Sequence, residues 1–195
     1  MNIQPNEFYH IHNQGNNKEQ IFFNRGNYLY FLSQFRSKVA INVDVLAYCL
    51  MPNHFHFLVH TNERSVVRKK LGSLEVIALT DGFRKLESGY AHAINKQEKR
   101  SGSPFRQKTK MKLVQDTSKD YLFSVFNYIH QNPLKAELVK RMEYWRYSSF
   151  SDYAGLRDGT LCDKELAKLF IDYSESDFIA DSNFYVDKEK IRHII

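Results

Sequence analysis

The sequence predicts an α+β fold: an antiparallel sheet in the split βαβ order of ferredoxin-like domains, with two helices packed on one face. Three observations predict it. Hydrophobic periodicity runs strand, helix, strand, strand, helix, strand along the first two-thirds of the chain. Pro52-Asn53 separates two adjoining strand patterns, as the turn of a hairpin would. Finally, 195 residues with a 43% hydrophobic fraction, 15 Phe and 12 Tyr can fill one core of ordinary size, with a small piece appended. We divide the chain at residue 153, with a helical C-terminal extension from 154 to 195 packed on the main domain.

The elements follow in order. From Phe8 to His12, His10 and His12 alternate with apolar residues, and a cluster of turn formers follows at Asn13-Gln-Gly-Asn-Asn17, which predicts a first strand and its exit loop. Asn24 can cap a helix whose apolar residues Tyr28, Leu32, Phe35 and Val39 recur at spacings of three and four. A strand with a strongly apolar end is expected from Ile41 to Leu50, then the histidine-bearing strand His54 to His60. Ser65 to Lys96 reads as helical in two pieces, because Thr80-Asp81-Gly82 offers a cap and a breaker together. Arg100 to Pro104 is a loop, and Met111 to Gln115 a short strand. A helix is expected from Ser118 to Asn132, with a new one opened by Pro133, since proline disfavours helical geometry in the residue before it. A short helix near Lys164 to Phe170 belongs to the extension.

Charge is concentrated. Between Lys96 and Lys112 lie seven basic residues and one acid, Glu98, which accounts for the whole of the chain's net +6. Lys108, Lys110 and Lys112 alternate, which suits a phosphate backbone, and Phe105 offers a stacking surface. Arg64, Arg68, Lys69 and Lys70 form a weaker second patch. Cys49 and Cys162 are too few and too far apart in sequence for a disulfide framework or a cysteine zinc site. No signal-peptide pattern and no apolar run of membrane-spanning length is present, so a cytoplasmic protein is expected.

The chemistry-bearing residues lie in two segments. On the strand Asn53-His54-Phe55-His56-Phe57-Leu58-Val59-His60, the three histidines share one face. His54 and His56 can converge on one ion. His60 lies further along and reads as a groove residue, while His10 and His12 are a competing pair on the first strand. On a later helix, Tyr128 and Asn132 are four residues apart and project from the same side. A divalent ion beside a tyrosine suits phosphodiester opening through a covalent intermediate. Each residue also has a plainer reading: a polar strand face for the histidines, core packing for Tyr128, and helix capping for Asn132, with Gln131 then in reserve as a ligand.

Together these segments resemble a known family. Asn53-His54-Phe55-His56 resembles the HUH signature, and Tyr128-Ile-His-Gln-Asn132-Pro-Leu-Lys-Ala-Glu-Leu-Val139 resembles the nucleophile helix of single-tyrosine HUH transposases, with REP-associated tyrosine transposases the nearest likeness. Supporting segments are Tyr9 to Asn13, Ala47 to Pro52, Ser103 to Lys112 and Trp145 to Ser149, and the likeness spans about residues 5 to 153. It implies a nucleophile-bearing helix, with Tyr128 attacking single-stranded or hairpin DNA to leave a 5′-phosphotyrosine. It implies that His54, His56 and Asn132 hold Mg²⁺ or Mn²⁺, although paired imidazoles alone would favour zinc or manganese. Arg100, Arg106, Lys108, Lys110 and Lys112 are the expected DNA contacts. A monomer, and a homodimer with exchanged nucleophile helices, both fit the sequence. Two rival readings are a non-catalytic relative that binds structured DNA and an RNA-binding module of the same fold.

Overall fold

A computed structural model describes residues 3–171, 173–183, 186, 189 and 191–194. Its centre is a four-stranded antiparallel sheet built from β1 (Phe8–Gln14), β2 (Asp44–Met51), β3 (His54–His60) and β6 (Lys110–Leu113), in the order β2-β3-β1-β6. That is the split βαβ arrangement the periodicity predicts. The register sets His12 opposite His56 and Gln14 opposite His54, and on the other side of β1 it sets His10 opposite Lys112 and His12 opposite Lys110.

Strand alternation divides β3 into two chemistries. Phe55 and Phe57 point to one face, covered by α1 (Arg25–Lys38) and α3 (Ala78–Gln97). There Phe35 stacks on Phe57 at 3.9 Å, Phe31 lies 5.2 Å from Phe55, and Phe83 lies 5.9 Å from Phe35. The histidine face is covered instead by α4 (Lys119–Lys135), which packs on β2 and β3 through buried residues that include Val125, Phe126 and Ile129. α1 has the expected ends: Asn24 accepts from the Asn27 backbone, Asn27 reciprocates as a capping box, and Val39 closes the helix.

Four boundaries differ from the sequence expectation by more than two residues. Ile41 is not in a strand; Ala40–Asn42 forms a 3-10 turn, Ile41 is 57% exposed, and β2 starts at Asp44. Residues 65–77 are mostly not helical. After α2 (Glu63–Val66) they form a hairpin of β4 (Arg68–Leu71) and β5 (Leu74–Ile77), with Gly72 at φ +61° in the first position of its two-residue loop. α3 runs unbroken through Asp81-Gly82, because buried Asp81 is neutralised by Arg84 at 2.8 Å and Lys85 at 2.7 Å. A Cβ at Gly82 would sit 2.5 Å from the Lys38 carbonyl oxygen, so this glycine permits close helix packing rather than breaking a helix. α4 likewise continues through Pro133 to Lys135.

The segment after α4 seals the outer edge of β2. Ser149 N–H donates to the Tyr48 carbonyl, Leu50 N–H to the Tyr147 carbonyl, and the Trp145 indole to the Leu50 carbonyl at 3.0 Å. Tyr147 stacks on Tyr28 at 3.6 Å, so Trp145 and Tyr147 anchor this segment. Beyond α5 (Phe150–Tyr153), α6 (Lys164–Phe170) forms where the sequence placed it, preceded by a bond from Asp163 N–H to the Val45 carbonyl, and α7 (Phe178–Asp181) and a 3-10 turn at Arg192–Ile194 follow in the tail. Among the described residues no helix is long and apolar enough to cross a membrane.

Candidate active site

The site begins with four histidines on the sheet face beneath α4. His54 and His56 leave β3 two residues apart, their rings perpendicular with centroids 4.9 Å apart. Each has its Nδ1 engaged. Asn53 Nδ2 donates to the Lys18 carbonyl at 3.0 Å, which turns Asn53 Oδ1 toward His54 Nδ1 at 2.6 Å. His54 Nδ1 therefore carries the hydrogen, and its Nε2 keeps a lone pair. His56 Nδ1 lies 2.9 Å from Nε2 of the fully buried His10, with the two rings stacked at 5.0 Å. The remaining atom, His56 Nε2, is buried with no hydrogen-bond partner among the described residues.

His12, His54 and His56 are held neutral. Burial lowers the His54 pKa to about 4 and that of His12 also to about 4, where Lys112, His54 and Lys110 add their repulsion. Burial, then His10, His54 and His12, push His56 well below its ordinary value. Neutral rings with free Nε2 atoms and secured Nδ1 atoms are what a divalent cation requires of histidine. Among the described residues, no group of three or more His, Cys, Asp or Glu side chains is arranged to hold a metal. The first-strand pair is not a separate site, since His10 Nε2 is turned to His56 and His12 stacks on His10 at 5.0 Å. His12 Nε2 is, like His56 Nε2, buried without a hydrogen-bond partner among the described residues, and α4 offers an amide and a hydroxyl as further donors.

α4 brings both kinds of group near. The Tyr128 ring lies 5.7 Å from His56 and 6.1 Å from His10, nearly perpendicular to each. Burial raises the Tyr128 pKa, and its hydrogen bond with the Asn132 side chain partly opposes that. Pro133 explains the posture of Asn132. Proline has no N–H to give the Ile129 carbonyl, so the Asn132 amide nitrogen leans back along the helix, donating to the Tyr128 carbonyl at 2.8 Å and reaching toward that of Ile129 at 3.4 Å. Asn132 is thus inside the helix rather than capping a new one, and its side chain also meets the Tyr128 hydroxyl. Gln131 is directed elsewhere, donating to the Ser182 carbonyl of the tail at 2.8 Å.

The basic residues divide between locations. Lys110 and Lys112 share the histidine face, and Lys112 Nζ also donates to the His193 carbonyl at 3.2 Å. Lys108 precedes β6 and lines a cavity on the opposite face, so the three lysines do not form one row. Arg106 is exposed, and Arg100 pairs with Glu19 at 3.2 Å. His60 is no groove residue: it packs 4.8 Å from Phe8 and 5.3 Å from Phe170, locking α6 to the sheet. Two neighbours went unassigned in the sequence. His10 orients His56, a relation that only the β1–β3 register creates, and the Lys135 ammonium lies 6.0 Å from the Tyr128 ring centre, a placement visible as the spacing Tyr128, Asn132, Lys135 along one helix face.

Comparison with known proteins bears on the architecture. A solved structure of a REP-associated tyrosine transposase bound to a REP hairpin matches with a TM-score of 0.56 over 84% of this chain and 92% of that one, at 17% identity. The two chains share a fold. No family model and no curated protein matches the sequence.

Proposed function

We propose that this protein is a metal-dependent tyrosine strand transferase acting on single-stranded or hairpin DNA. The observation that carries the reading is Tyr128 standing 5.7 Å from the buried His56, whose Nε2 has no hydrogen-bond partner among the described residues. The shared fold and the two sequence segments that resemble HUH transposases support it. His54 Nε2, His56 Nε2 and Asn132 Oδ1 would hold Mg²⁺ or Mn²⁺. Such an ion, when bound, polarises a phosphoryl oxygen and offsets charge on the leaving oxygen.

The protein's own groups do the rest. The Tyr128 phenolic oxygen, giving up its proton, attacks the phosphorus in line; the P–O3′ bond breaks and the 3′-oxygen departs as a hydroxyl. The product is a 5′-phosphotyrosine that keeps the bond energy for rejoining. Lys135 lies where its charge opposes that of the phosphate, and burial under α4 limits water that would hydrolyse the intermediate. Lys110 and Lys112 line the same face for the approaching strand, with Arg106 at its edge.

The test is incubation of the protein with Mn²⁺ and labelled hairpin oligonucleotides bearing single-stranded flanks. A covalent adduct should form with the native chain, vanish for Tyr128→Phe while DNA binding persists, and vanish in chelator. An adduct formed by the Phe variant would refute the nucleophile assignment. Binding without any adduct from the native chain would instead support the non-catalytic alternative.

A further inference from the structure

Beneath the sheet, on the face away from Tyr128, lies a cavity of about 310 Å³ that the proposed chemistry does not use. Its wall is a stripe of α3, Thr80, Phe83, Arg84 and Glu87, at the spacing of one helix face. Met111 of β6 and Ile3 complete an apolar floor with Phe83, and Gln107 and Lys108 stand at the rim. Glu87 is held in a fixed posture. Its Oε1 accepts from Asn13 Nδ2 at 3.0 Å and from the Thr109 hydroxyl, while Oε2 has no partner among the described residues. Burial raises the Glu87 pKa, and the bonds from Thr109 and Asn13 oppose that rise. A clasp that only joined α3 to β1 and β6 would need no cavity beside it.

We infer that this cavity receives one unstacked nucleobase from the DNA single strand, selecting bases that carry an exocyclic amino group through Glu87 Oε2. The inference rests on the DNA-acting reading above and extends it to a second, non-catalytic subsite. Size favours a single base, since the volume is at the small end of ligand pockets, roughly 300–1,000 Å³. Chemistry favours it too: an apolar floor with one pinned acceptor is how flipped bases are held and read. Connectivity provides the path. β6 is the sheet's edge strand, with Lys110 and Lys112 on the catalytic face and Lys108 beside the cavity, so a strand rounding that edge meets ammonium groups throughout. Lys108 makes no ion pair among the described residues, which leaves it for a phosphate. Cytosine, adenine and guanine present an amino donor to Oε2, whereas thymine presents carbonyl oxygens flanking its one N–H.

The experiment is fluorescence anisotropy of the full chain in chelator, using hairpins whose flanking nucleotides are replaced one at a time by an abasic residue. One flank position should lose about tenfold in affinity, and thymine should bind worse there than an amino-bearing base. Thr80→Trp, at an exposed position on the cavity wall, should make intact and abasic DNA bind alike. Glu87→Gln should raise thymine to parity while leaving abasic DNA unaffected. Equal affinity at every abasic position overturns the subsite and leaves the strand-transfer reading standing. So does a Glu87→Gln variant that weakens all DNA equally and melts earlier, which would make Glu87 a structural clasp. Failure to bind any hairpin would remove both.

Discussion

At the residue scale, the site depends on which nitrogen of each imidazole is free. His10 matters here although it faces no substrate: its Nε2 lies 2.9 Å from His56 Nδ1, and in the tautomer where His10 accepts that bond His56 Nε2 is the lone-pair atom. His10→Phe keeps the packing volume and removes that acceptor, so Mn²⁺ affinity measured by calorimetry should fall about ten- to hundredfold. Unchanged affinity would mean that His10 only fills space. The same burial predicts a pH dependence. His12 and His54 at about 4, and His130 at about 3, bind fewer protons folded than unfolded across the interval below 6.5. Stability of the metal-free protein should therefore rise with pH from about 4 to 6.5 and be lost on acidification through that window, with Glu87, which burial shifts upward, opposing above its ordinary value of 4.5. Thermal melts in chelator check this, and His130→Phe, at a residue that bonds Ser149 and is not among the proposed ligands, should flatten the curve. The alternation of His54 and His56 made the pair legible in sequence. The partner of His56 was not, because residues 46 apart meet only through strand register.

At the element scale, sequence punctuation was read correctly where it acted locally and misread where tertiary packing overruled it. Asn24 and Val39 bound α1 as their chemistry dictates. Gly82 and Pro133 look like breakers, yet both lie inside helices for reasons found in a neighbouring element or side chain. The Gly82 case is decided by sterics. Alanine would gain about 1 kcal/mol of helix propensity. Its Cβ, however, meets the Lys38 carbonyl at 2.5 Å, and displacing α3 from α1 costs about 1–3 kcal/mol. Gly82→Ala should lower the denaturation midpoint; a higher midpoint would show that the two helices separate freely. Pro133→Ala tests the opposite trade. It restores the donor for the Ile129 carbonyl, so α4 should gain up to about 3 kcal/mol, while Asn132 loses its second carbonyl at 3.4 Å, keeps the Tyr128 carbonyl at 2.8 Å, and is held less tightly. We expect higher stability with weaker Mn²⁺ binding, and parallel gains in both would separate Asn132 from the metal.

At the scale of the whole molecule, the sheet is a partition, with an aromatic core and its two helices on one side and the histidines beneath α4 on the other. The charge follows this geometry more than the linear sequence suggested. Of the five expected DNA contacts, Arg100 is turned to Glu19, Lys108 to the reverse face and Arg106 to solvent, and Lys110 and Lys112 lie beside the histidines. Two of the four cations of the second basic patch are paired, Arg64 with Asp44 at 2.7 Å and Arg68 with Glu75 at 2.9 Å. Such pairings and side-chain directions arise only after folding, so a charge count along the chain cannot reveal them. They make a prediction that separates the patches. Each lost phosphate contact to a single strand reduces the dependence of log affinity on log salt by about 0.7, so replacing Lys110 and Lys112 together with alanine should lower the slope by about 1.4. Alanine at Arg64 and Arg68 should leave it unchanged. If instead the second pair shifts the slope and the first does not, the strand runs over the β4–β5 hairpin, and Tyr128 would then lie on the wrong side of the sheet to reach it.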